Sequence, residues 1–161
     1  MTLLRPAVTM LVIGCAFAAD SPLMKEGLWS MNIESSINPA GTTTRFTASM
    51  CRSRAYEAQK AEEAKGKGTC KTPVTRDNGA TQETVIECTI GGATTRIKET
   101  VTVTGENSAH TITQSTFDSP IGGITEMIVT SDMNYVGPCP AGVEPGDVIM
   151  EDGKIIKPPK P

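Results

Sequence analysis

The 161-residue chain holds one histidine and five cysteines, and these limit the chemistry open to it. His110 could act as a general base if a nucleophile and an orienting carboxylate stood beside it. Ser108 and Ser115 are the serines near it in sequence. No G-x-S-x-G or comparable setting surrounds them, so the expectation is a surface histidine on a polar strand, with no catalytic residue assigned. Glu83 and Glu87 share one face of a strand, as the carboxylates of a glycoside hydrolase do, but the expectation is a solvated face. Asp147, Glu151 and Asp152 lack the spacing of a calcium loop. Gly91-Gly92 and Gly122-Gly123 open no helix, so phosphate binding is not indicated. With no C-x-x-C pair and a single histidine, no structural zinc site, no other metal and no cofactor is expected.

One apolar group is suggestive. Trp29, Met31, Phe46, Met50, Met127, Met133 and Tyr135 fall on the inward side of their segments. If the sheet curls, they either line a site for a small apolar or lipid-like ligand or pack together and fill the interior.

The cysteines and the first residues give an address. Arg5, the apolar run 6–14 and Ala16-Phe17-Ala18 read as a signal peptide cleaved after Ala18. A competing reading takes Val12-Ile13-Gly14-Cys15 as a lipoprotein box, anchored through Cys15. Removing Arg5 leaves 14 basic and 18 acidic residues, a net charge of −4, which argues against nucleic acid. Export leaves Cys51, Cys70, Cys88 and Cys139, an even number suited to two disulfides in a periplasmic or secreted protein. Four cysteines allow three pairings. Asp77-Asn78-Gly79 should fold residues 69–90 into a hairpin that sets Cys70 against Cys88, leaving Cys51 for Cys139.

The elements that must position these residues are mostly strands. Period-two alternation runs from Gly27 to Ile37, through 42–51, and most cleanly through 94–104, where Glu99 falls on the apolar face. Glu99 is expected at a rim or beside a base, because an unpaired buried carboxylate is costly. Ser53 can cap a helix over 54–65 that Gly66 ends; its apolar stripe is thin. Residues 108–117 and 124–136 give two more strands, the second with a bulge expected at Ser131-Asp132. The reading is a mainly β domain at residues 19–139: an antiparallel meander of about seven strands, curled into a barrel or half-barrel, with one short helix after the second strand. Residues 140–161 form a tail with a small hairpin that the core is not expected to need.

Met24-Lys25-Glu26-Gly27-Leu28-Trp29 resembles the K-P-G-L-W opening of a bacterial exported family, the domain of unknown function numbered 3617, with Glu26 in place of Pro. The order that follows is similar too: Cys51 closing the second strand, a helix, Cys70, Glu87-Cys88 and a final Gly137 to Cys139. The resemblance covers residues 24–139. It implies an exported domain with two disulfides and brings no activity, substrate or catalytic residue.

Two functions follow as expectations. One is a non-enzymatic binding module for a small apolar or lipid-like ligand; the other is an envelope interaction or structural protein that meets a protein partner through a strand edge or the tail. No transmembrane segment is expected in the mature chain, and the sequence does not fix an oligomeric state.

Overall fold

The computed structural model describes residues 24–66, 70–90 and 92–157. The leader at 1–18, Cys15 within it and Gly91 lie outside the described residues. Nine strands and one helix follow in the order β1 (Gly27–Asn38), β2 (Thr42–Arg52), α1 (Arg54–Gly66), β3 (Val74–Asn78), β4 (Thr81–Ile90), β5 (Ala93–Thr104), β6 (Ser108–Ile121), β7 (Ile124–Gly137), β8 (Val148–Met150) and β9 (Ile155–Ile156).

They form one antiparallel sheet in the order β3-β4-β5-β6-β7-β1-β2-β8-β9. From β3 to β7 each strand lies beside its predecessor, as a meander requires. The break comes between β2 and β3. A polar helix cannot continue a strand ladder, so α1 carries the chain from one part of the sheet to its far edge, and β7 returns to pair with β1 from Leu28↔Gly137 to Asn38↔Glu126. The sheet is open, with β3 and β9 as its edges.

It is also strongly curled. In a flat sheet β5 and β2, four steps apart, would be separated by about 19 Å. Instead Val101 and Val103 of β5 share one core with Trp29 and Met31 of β1 and Ala48 of β2. Alternation produces this: on β5 Ala93, Thr95, Ile97, Glu99, Val101 and Val103 are all buried, while Thr94, Arg96 and Lys98 are exposed. A second, smaller core joins Ile86, Cys88 and Ile97, with Cys70 packed against it.

The hairpin of β3 and β4 turns at Gly79, whose φ of +64° suits glycine. Beyond its end Cys70 and Cys88 face each other as an isolated antiparallel bridge and are joined as a disulfide. Cys51 and Cys139 form the second disulfide, 88 residues apart.

Two expectations change. The bulge of β7 does not sit at Ser131-Asp132, where register with β1 and β6 is continuous. The register shifts at Leu28/Trp29, where Val136 is the extra residue, because Gly27 and Gly137 approach closely there. The tail is not an appendage. β8 extends the sheet beside β2, Val148 and Met150 pack on the main core, and Asp147 is only 1 % exposed. The backbone N–H of Cys51 donates to the carbonyl of Asp147 at 3.2 Å, and that of Gly146 to the carbonyl of Cys51 at 2.8 Å.

Candidate functional site on the concave face

One end of the concave face is closed by packing. Trp29 is fully buried, its indole N–H donates to the Lys25 carbonyl at 2.9 Å, and its ring meets Tyr135 edge-on at 5.7 Å. The Lys25 ammonium lies over the Tyr135 ring, 5.6 Å from its centre, and pairs with Glu106 at 2.8 Å. Gly27, at φ +132°, lies against Gly137 and Tyr135, and a Cβ there would strike the Gly137 carbonyl. The opening Lys25, Gly27, Trp29 is thus one device: the glycine admits the close approach, and the lysine carbonyl satisfies the indole that the approach buries.

Around it Met31 and Met133 are buried, and Phe46, Met50 and Tyr135 pack on them half-buried. Six of the seven residues picked from sequence therefore come together. Met127 does not join them. It lies further along the same face, between Ser115 of β6 and Ile37 of β1.

That further end is different in character. Ile37, Met127 and Val129 lie on the inner face, each only half-buried, as does Phe117 opposite Thr95. Hydroxyl groups interleave with them: Ser115 and Ser131 are 1 % and 4 % exposed, and Thr113 lies beside Val129. The Ser131 hydroxyl has no hydrogen-bond partner among the described residues, nor has that of Thr95. Buried hydroxyls are usually satisfied, so each is an open polar position on a wall that mixes apolar and hydroxyl side chains.

Glu99 is the charged feature of the interior. It does not sit at a rim: it is 3 % exposed, and burial pushes its carboxyl above the ordinary carboxylate range. Two influences oppose that rise, the guanidinium of Arg52 and a hydrogen bond from the Thr113 hydroxyl at 3.4 Å. Arg52 is itself buried, ion-paired with Glu57 of α1 at 2.7 Å and in contact with the Met24 sulfur. Sequence reading missed this grouping, although Arg52 is in phase with Phe46, Ala48 and Met50 and so had to point inward.

The remaining candidates lie elsewhere. His110 is on the outer face, its Nδ1 2.7 Å from Asp132 of the neighbouring strand. Ser108 shares that face but donates its hydroxyl to Asn134 at 3.0 Å, and Ser115 points to the other side, so no nucleophile meets the imidazole. Glu83 and Glu87 face outward in ion pairs with Lys98 at 2.7 Å and Lys71 at 2.5 Å. Asp147 accepts from the Glu144 N–H at 3.0 Å and braces a turn, while Asp152 accepts from the Lys154 N–H. Among the described residues no group of three or more His, Cys, Asp or Glu could hold a metal ion.

A family model described as a protein of unknown function, DUF3617, matches residues 24–139. The chain belongs to the DUF3617 family. The match starts at Met24 and ends at Cys139, so the DUF3617 domain comprises β1 to β7 with α1 and all four disulfide cysteines, and β8 and β9 follow it. No curated protein and no solved structure matches the chain. Two disulfides suit a DUF3617 domain to an oxidising, extracytoplasmic setting, and none of the described helices is long and apolar enough to cross a membrane.

Proposed function

We propose that this DUF3617 protein is an exported, periplasmic, non-enzymatic binding module for a small apolar or lipid-like ligand. The single observation that carries the reading is the row of large apolar side chains, Ile37, Met127, Val129 and Phe117, left half-buried on the same concave face that is fully packed around Trp29. Water-exposed apolar surface continuous with a core marks a place where something else completes the packing. The site therefore lies beyond the packed cluster of Trp29, Met31 and Met133, with Phe46 between the two regions. Methionine suits such a wall because its unbranched side chain adapts to irregular shapes. The Ser131 hydroxyl supplies one place for the polar end of an amphiphile. Export is supported by the signal peptide read at residues 1–18 and by the two disulfides.

Native mass spectrometry of the protein purified from its own host tests this. A bound species that is lost in Met127→Asp, with Trp29 fluorescence unchanged, is the expected result. A ligand-free mass at wild type, together with no binding of medium-chain fatty acids or lysophospholipids at millimolar concentration, refutes it.

A second reading, contact with a protein partner through a strand edge, is favoured by β3. This terminal strand is exposed at all five residues.

A further inference from the structure

The outer face beside β3 differs from the rest of the molecule. Lys71, Thr72, Val74 and Arg76 from the edge, Glu83, Val85 and Glu87 of β4, and Arg96 of β5 line a half-open groove of about 350 Å³. Its floor is the cross-strand pair Val74 and Val85, and Val74 is 60 % exposed. Four cations, Lys71, Arg76, Arg96 and Lys98, surround two carboxylates, Glu83 and Glu87, giving this patch a local charge of +2 in a chain of net charge −3. The cations govern the patch: Lys98 holds the Glu83 carboxyl below its ordinary range, helped by Arg76 and Arg96, and Lys71 does the same for Glu87.

The groove runs along the strand whose outer edge, among the described residues, pairs with nothing. An edge strand offers a row of backbone N–H and C=O groups that an extended segment can satisfy. A second copy of this chain fits poorly, since edge-to-edge pairing would extend one continuous face with cations from both copies. We propose that β3 docks an extended acidic segment of a partner protein, which adds as a further strand and turns the carboxylates of one face toward Arg76 and its neighbouring cations. This rests on the second reading above and adds to it the chemistry of the partner.

The test uses the full chain with disulfides intact and a fluorescein-labelled peptide of alternating Glu and Val, seven residues long. Comparators are the Lys-Val version and a Glu-Val peptide with alternate amides N-methylated, which keeps the charge but cannot extend a sheet. Expected are saturable anisotropy binding of the Glu-Val peptide, slowed amide exchange within β3, and at least a tenfold weakening by Arg76→Glu, an exposed substitution that leaves the fold intact. Equal binding of the Lys-Val peptide with the same protection of β3 overturns the acidic partner while leaving edge docking standing. Equal binding of the N-methylated peptide, or binding to phosphatidylglycerol vesicles but to no peptide, overturns strand addition. No binding of any probe at millimolar concentration removes both.

Discussion

Replacing Trp29 by Ala separates a packed residue from a ligand-lining one. The indole is fully buried, in contact with Tyr135 and hydrogen-bonded at 2.9 Å to the Lys25 carbonyl. Truncation of a core Trp costs about 3–5 kcal/mol in lost transfer energy and residual cavity, and leaving the Lys25 carbonyl without its donor adds about 1 kcal/mol. At roughly 3–4 °C per kcal/mol for a domain of this size, the melting temperature should fall by about 12–24 °C. Trp29→Phe keeps most of the volume and loses the hydrogen bond, so it should fall by about a third as much. Urea unfolding followed by far-ultraviolet circular dichroism, with the two disulfides intact, measures both. If Trp29→Ala loses less than about 1.5 kcal/mol while abolishing ligand capture, the indole lines an open site and the division of the concave face into packed and open ends is wrong.

Three more outcomes follow from the same structure. Glu99 has a folded-state pKa above its unfolded value, so its contribution to stability is complete below about pH 4 and is lost as pH rises through the folded pKa; Glu99→Gln should flatten that part of the stability profile, and an unchanged slope counts against burial of the carboxyl. Replacing Cys51 and Cys139 by Ala opens an 88-residue loop and should cost about 4–5 kcal/mol on the chain-entropy model, against about 3 kcal/mol for Cys70 and Cys88 with 18 residues, so the melting temperatures of the two double variants should rank in that order. Deleting residues 146–161 removes Asp147, Val148 and Met150 from buried or half-buried positions and should destabilise by at least about 2 kcal/mol; an unshifted melting temperature would mean that β8 detaches freely.

Faces were legible in the sequence; neighbours were not. Side chains alternate with period two, so Trp29 and Met31, Phe46 and Met50, Val101 and Val103 could each be assigned to the interior from their own strand. The Asp77-Asn78-Gly79 turn located the hairpin and the facing cysteines, but β3 and β4 pair about Gly79-Ala80, with Asn78 facing Thr81, one residue out of the register of Cys70 and Cys88. Nothing local could show that β7 pairs with β1 or that the sheet opens between β3 and β9, since pairing partners far apart in sequence leave no mark on periodicity. The same blindness hid Arg52 near Glu99, which depends on curl rather than on either strand alone. Ser131-Asp132 has the composition of a bulge, but the kink follows the close passage of Gly27 and Gly137, a contact between the two ends of the family match. The tail hairpin was legible, and β8 does pair with β9, but its seat beside β2 was not, because Met50 and Val148 lie far apart in sequence.

The position of β1, flanked by β2 on one side and β7 on the other, sets a condition on assembly. For a chain delivered N-terminus first, β1 and β2 can pair at once, yet the other flank of Trp29 stays bare until β7, which begins at Ile124, has arrived. The meander of β3 to β7 can zip up meanwhile from neighbours alone. Maturation therefore ends late, when β7 brings Tyr135 to Trp29 and Cys139 to Cys51 and β8 then closes on β2, and any helper that shields the nascent first strand would act before that.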